Sequence, residues 1–240
     1  MRLTSLAVVV GCAAASLYAA EEFKTSNGSV KITPVAHASL LIEAGGKVIA
    51  LDPWSQGTEA KYAALPKADL ILLTDIHGDH MDTTAIGWVK KAGTQILGPA
   101  AVTAALETGN TIRNGETQHW GAFTIEAVPM YNLKRGPAPG KFYHDKGRGN
   151  GYVITYGGKR FYFSGDTEAI PEMKALRHID VAFVCMNLPY TMPPEEAAEG
   201  VKAFAPKIVY PYHYRGSDLS VFEKALKGLP IEVRIRDWYK

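Results

Sequence analysis

The chain reads as an α/β protein of two mixed β-sheets packed face to face with helices outside them, and three observations predict it. Each half opens on short apolar runs joined by tight turns. Each half closes on apolar runs that alternate with helical segments. The 240 residues, 47% hydrophobic and 21% charged, suffice for one substantial core.

Residues 29–54 give three strands, VKITPV, SLLIEA and KVIALDP, with Ala44-Gly45-Gly46 turning the last two. After a loop through Pro66, the run from Ala68 to Thr74 reads as a buried strand. A helix over Thr83 to Ala92 follows, capped by Asp82 or Thr83 and ended by Gly93. Thr94 to Leu97 is a short strand and Ala100 to Glu107 a helix. Asn114-Gly115 then turns into short strands that end in FTIEAVPMYN. Residues 133–150 carry Lys134, Arg135, Lys141, Lys146 and Arg148 without periodicity, which is a long loop of the kind that bears function. GYVITYGGKRFYFSGDT is a hairpin running into Asp166. A helix near Pro171 to Leu176, the strand of Cys185, a helix from Pro194 to Phe204 and a strand from Lys207 to Tyr210 come next. A helix from Leu219 to Leu226 and the strand IEVRI close the chain. No sequence repeat accompanies the repeated arrangement.

Arg2, the apolar or small run Leu3 to Leu17, and Tyr18-Ala19-Ala20 before Glu21 have the form of a secretory signal, too short and wrongly flanked for a membrane span. Residues 1–20 are therefore expected to be a leader and 21–240 a single domain, exported to the periplasm or beyond. Val9-Val10-Gly11-Cys12 offers a competing lipoprotein box that would leave Cys12 lipidated. The short apolar stretch before it and the apolar residues after it argue against that reading. Removal after Ala20 leaves Cys185 as the lone cysteine, without an intramolecular disulfide. Within IDVAFVCMN it reads as an inert buried thiol. A formal charge of +2 and the lack of a basic helix or basic aromatic stripe argue against nucleic acid, so the expected partner is a small molecule.

The stretch LLTDIHGDHMD, Leu72 to Asp82, places Asp75, His77, Asp79 and His80 within six residues at the end of an apolar run. Two imidazoles and two carboxylates supply the nitrogen and oxygen donors that zinc prefers, and no core needs that composition. Asp75 and His77, two apart on a strand, are expected to project to one side; Asp79 and His80 are expected to turn toward a second, adjacent position. Asp166 and His213 also stand where apolar strands end. Strand ends along one sheet edge build shared sites, so Asp166 is expected to bridge two ions and His213 to complete the second.

The D-x-H-x-D-H cluster, the later Gly165-Asp166-Thr167 and the Pro211-Tyr212-His213-Tyr214 segment together resemble the metallo-β-lactamase superfamily from about His37 to His213. The resemblance implies a four-layer αβ/βα sandwich with two divalent ions in a groove along one edge. His37-Ala38-Ser39, Leu51 to Trp54 and Pro189 to Met192 resemble the branch that includes ascorbate-phosphate lactonases and N-acyl phosphatidylethanolamine phospholipase D. One departure stands out: the family's first ligand is usually histidine, and here it is Asp75. A carboxylate there would favour Mn²⁺ or Fe²⁺ over Zn²⁺, or weaken the first site toward occupancy by a single ion. The usual place of the family's middle histidine holds Met130-Tyr131-Asn132, which leaves His144 as the expected ligand and His119 as the substitute.

The implied activity is hydrolysis of an ester, lactone or phosphodiester bond of a small anionic substrate, with the ions lowering the pKa of a shared water to about 7. In that scheme Asp79 orients the water, Tyr190 donates to a developing oxyanion, and the basic loop with Arg215 holds the anion. His37 is expected to orient a ligand or touch substrate, and Asp52 to hold a ligand imidazole. The rival readings are an exported metal-dependent binding protein with a degenerate site and, after it, a two-iron redox protein.

Overall fold

A computed structural model of the protein describes residues 20–239. The expected leader, apart from Ala20, and Cys12 lie outside the described residues. The first sheet contains β1 (Glu21–Thr25), β2 (Gly28–Ala36), β3 (Ser39–Ala44), β4 (Lys47–Leu51), β5 (Leu70–Leu72), β6 (Gln95–Gly98) and β7 (Asn110–Thr111), side by side in that order. The second contains β8 (Thr117–Trp120), β9 (Phe123–Met130), β10 (Gly149–Tyr156), β11 (Lys159–Phe163), β12 (Val181–Cys185), β13 (Ile208–Tyr212) and β14 (Glu232–Val233), again in order. In each sheet the first four strands pair antiparallel. The remaining pairings are parallel. Helices α1 (Glu59–Ala63), α2 (Thr83–Val89) and α3 (Ala100–Leu106) make the crossovers of the first sheet. Those of the second are α4 (Pro171–Lys174), α5 (Pro194–Phe204) and α6 (Leu219–Leu226).

The side-chain alternation explains the layers. Leu40 and Ile42 of β3, Ile49 and Leu51 of β4, and Leu70 and Leu72 of β5 join the core between the sheets. Their neighbours Leu41, Ala50 and Ile71 face the other way, against Tyr62, Ala85, Ile86, Val89 and Val102 of the helices. A strand buried on both faces must be apolar at every position, which is why these strands read as unbroken hydrophobic runs. In the second sheet the rings of Phe163, Phe183 and Tyr210 stack across β11, β12 and β13 at centroid separations of 4.9 and 4.8 Å. That stack fixes the strands whose ends deliver Asp166 and His213.

Several boundaries differ from the sequence reading. β1 has no counterpart in the sequence reading, α1 lies in a stretch expected as loop, and β13 extends to Tyr212 instead of stopping at Tyr210. β5 ends at Leu72, so Asp75 and His77 follow the strand and do not share one of its faces. Asp75 is fully buried and His77 is 42% exposed. The chain turns there through bonds from the His80 and Met81 amides to the His77 carbonyl. Asp82 caps α2 by accepting from the Thr84 and Ala85 amides.

Candidate metal centre

The carboxyl ends of β4, β5, β11, β12 and β13 meet along one edge, and a cavity of ≈ 880 Å³ opens there. Asp52 follows β4; Asp75, His77, Asp79 and His80 follow β5; Asp166 follows β11; Tyr190 follows β12; His213 and Arg215 follow β13. His37 enters from the turn between β2 and β3, and His144 from the long loop before β10. His37, Asp52 and His213 have φ of 57°, 41° and 46°, left-handed values that non-glycine residues rarely take. Gly165 precedes Asp166 at φ 60°, where a Cβ would lie 2.5 Å from the Met130 sulfur. Only glycine brings the chain out of β11 that way.

Ligand-bearing atoms gather in three sets, each within 4.8 Å: His80, Asp166 and His213; His37, Asp79 and His213, which shares His213 with the first; and Asp75, His77 and His144. In the first set, His80 Nε2 and His213 Nε2 each stand 3.4 Å from an Asp166 oxygen. His213 Nε2 is also 3.4 Å from Asp79 Oδ2, and His144 Nε2 is 3.3 Å from Asp166 Oδ2. The nitrogens His80 Nε2, His144 Nε2 and His213 Nε2 and the oxygen Asp166 Oδ1 are all buried without a hydrogen-bond partner. Buried polar atoms are nearly always paired, so four orphans converging from four elements suit a divalent ion with nitrogen and oxygen ligands.

The supporting contacts orient these ligands. Asp52, fully buried, accepts from the Thr74 amide at 2.8 Å and the Thr74 hydroxyl at 2.6 Å. Its Oδ2 lies 2.8 Å from His80 Nδ1, which turns His80 Nε2 toward the groove. Asn132 Oδ1 accepts from the His144 amide and lies 2.9 Å from His144 Nδ1. His37 Nε2 lies 3.0 Å from Asp79 Oδ2, while its Nδ1 meets the Tyr239 hydroxyl at 2.8 Å. Burial opposes charge on Asp166 and Asp79. For Asp166 the imidazoles of His213 and His80 outweigh it, and for Asp79 those of His80, His213 and His37 do, so both carboxyls sit well below the usual range. Burial likewise disfavours the His80 imidazolium, but Asp166, Asp79 and Asp52 raise it well above its ordinary value. Burial holds His37 down at about 4.

The first expected ligand is placed differently. Arg148 grips Asp75 with both arms, Nε to Oδ1 at 3.1 Å and Nη2 to Oδ2 at 2.9 Å. Other charges of the basic loop are also matched internally: Arg135 by Glu168 and Glu196, Lys134 by Glu196, and Lys146 by Glu172. None of the five basic side chains of this loop lines the cavity. Arg215 is the one lysine or arginine lining the cavity among the described residues. His119 stays on β8, away from the groove, against Thr124. Cys185 is buried under Asp166, where burial and then that carboxylate push its thiol up to about 12, an inert group. Sequence reasoning gave no role to Asn132, Thr74 or Tyr239, and gave Arg148 only a share in holding the anion. An aspartate in a histidine's place asks for a cation without saying which, and Asn132 stands where a ligand is expected.

The β-lactamase superfamily domain model matches residues 31–213. A UPF0173 metal-dependent hydrolase of Thermodesulfovibrio yellowstonii is 30% identical over 88% of this chain and 90% of its own. One from Thermococcus kodakarensis is 33% identical over 77% and 84%. Among solved structures, a Parabacteroides distasonis protein assigned to the metal-dependent hydrolases superposes with a TM-score of 0.86 at 42% identity, over 91% of this chain and 98% of that one. With two seven-stranded sheets, flanking helices and histidine and aspartate groups able to bind metal at their shared edge, the chain belongs to the metal-dependent hydrolases of the metallo-β-lactamase fold.

Proposed function

We propose that the protein hydrolyses an ester, lactone or phosphodiester bond of a small anionic molecule, with a divalent ion held by His80, Asp166 and His213. The observation that carries this reading is the convergence of unpartnered, buried ligand atoms, those of His80 just beneath and those of His144, Asp166 and His213 lining a cavity whose wall includes Arg215. A divalent ion there, zinc by the preference of its donors, supplies Lewis acidity and makes water acidic enough to attack near neutral pH. Asp79, about one-third exposed and steadied by His37, stays ionised and can accept from a water and orient it. Arg215 lies between Trp54 and Tyr239, its guanidinium carbon 5.6 Å from each ring centroid, which presents a pre-ordered planar donor to a carboxylate or phosphate. Tyr190 lines the cavity at 48% exposure and offers its hydroxyl to a developing oxyanion. The leader over residues 1–20 belongs to the same proposal, that of a hydrolase acting outside the cytoplasm.

Turnover of nitrophenyl phosphodiesters, nitrophenyl esters and simple lactones, before and after chelation, tests the reading. At least one class is expected to be cleaved, to stop on chelation and to recover with zinc or manganese. Arg215→Ala is expected to raise KM for an anionic substrate by about 10- to 100-fold, the worth of a charged hydrogen bond, with metal content unchanged. Metal uptake with no turnover in any class would turn the assignment to a binding protein, the reading that the Asp75–Arg148 pair favours.

A further inference from the structure

We infer that this chain binds a single ion, in the His80, Asp166 and His213 set, and that the Arg148 guanidinium serves as the fixed cation of the Asp75, His77 and His144 set. The inference rests on the metal-dependent reading above and goes beyond it in number and in the role of Arg148.

The two sets differ in what their polar atoms already do. Asp75 Oδ1 accepts from Arg148 Nε, and Oδ2 accepts from Arg148 Nη2 and lies 2.9 Å from His77 Nδ1. A carboxylate has about four acceptor positions; Arg148 fills two, and the His77 ring stands against a third. His77 turns Nδ1 toward Asp75 and Nε2 toward Arg148 Nη2, 3.4 Å away. The same Nη2 donates to the Tyr143 carbonyl at 2.8 Å. Of the three ligand side chains in this set, His144 alone retains an unpartnered atom, and that atom is closer to Asp166 at 3.3 Å than to Asp75 at 4.0 Å. An ion entering here would meet the guanidinium beside two of its three ligands and would have to displace it.

Arg148 is not a loose surface side chain that happens to reach inward. Its amide bonds the Asp145 carbonyl in a turn, and the next residue begins β10, where a Cβ on Gly149 would lie 2.3 Å from the Met130 methyl. The backbone is fixed by the sheet, and the side chain is four-fifths buried. Replacing histidine by Asp75 exchanges a neutral donor for a charge, and Arg148 cancels that charge within the protein. Carboxylate and guanidinium together place a positive centre next to the ion-binding set without a second metal.

The experiment is a zinc titration of the chelated full-length protein, with bound metal counted per chain by mass spectrometry after desalting. One equivalent is expected for the native chain. Arg148→Ala, which frees Asp75 and His77, is expected to take up a second. Two equivalents in the native chain would overturn the one-ion inference while leaving the metal-dependent hydrolase standing, and so would a count unchanged by Arg148→Ala in a variant with a native circular dichroism spectrum. No zinc in the native chain would overturn both. Should Arg148→Ala fail to fold, the native count still decides, and Asp75→His with Arg148→Ala, which rebuilds a neutral ligand set, is expected to give two.

Discussion

The Asp75, His77 and His144 cluster and the His80, Asp166 and His213 cluster lie side by side in one groove, have similar donors and satisfy them differently. In the first, the carboxylate is held by Arg148 and His77. In the second, two imidazole nitrogens and a carboxylate oxygen point at one another without partners, while Asp52 and Thr74 fix the far side of His80. A carboxylate already satisfied within the protein gains little from an ion. A network of orphans is costly unless something charged completes it, so the contrast distinguishes two groups of residues that composition alone makes equivalent.

The sharpest way to break this comparison is a matched pair of deletions. His80→Ala removes a ligand from the orphan set and is expected to abolish stable metal binding and to lower hydrolysis by more than about 100-fold, beyond what loss of a supporting contact costs. His77→Ala, in the self-paired set, is expected to leave the metal count near native. Metal analysis of the two purified variants decides, and equal loss in both would mean that the sets work as one.

A smaller effect is expected from Asp52→Asn. The amide keeps the shape, but it presents a weaker acceptor to His80 Nδ1 and loses the charge that raises the basicity of His80. Metal affinity should fall by about 10- to 100-fold in competition with a chromogenic chelator, with the stoichiometry unchanged. A native affinity would make Asp52 a merely structural partner of Thr74.

Much of the second cluster was legible in the sequence because its chemistry is local or punctuated. Asp79 and His80 stand together in a composition no core requires, and Asp166 and His213 each end an apolar strand. The layers were legible too, since two-faced burial writes itself as unbroken apolar runs such as Leu70 to Leu73. Less of the first cluster could be read. Nothing in a basic loop says which of five cations turns inward; it is the folded loop, with Gly149 seated against Met130 and the Tyr143 carbonyl accepting from Arg148, that brings Arg148 to Asp75. Asn132 was visible as the residue standing where a ligand was expected. Its role as the support of His144 depends on the loop returning to it, a long-range event without a local signature. The short β1 and α1 were unread for a different reason: five residues are too few for a period to declare itself.

The comparison also predicts how pH acts on the protein with and without metal. In the chelated protein His80 is raised well above 6.5 in the folded state, chiefly because Asp166, Asp79 and Asp52 overcome its burial. Such a group contributes stability that is fully present below 6.5 and is lost as pH rises through its folded value, because the unfolded chain releases the proton first. His37 has the opposite sign. Held at about 4 by burial, it contributes stability above 6.5 that is lost as pH falls from there toward 4. The metal-free chain is therefore expected to melt highest near pH 6.5. On the alkaline side Tm should drop by about 3–5 °C for each unit by which His80 exceeds its ordinary value. Metal binding needs His80 deprotonated, so the increment in Tm from saturating zinc should grow over the same rise in pH. Melting curves from pH 5 to 9, with zinc and with chelator, would show the two lines diverging upward from 6.5; parallel lines would mean that the ion does not compete with the proton on His80, and that the orphan set is not where it binds.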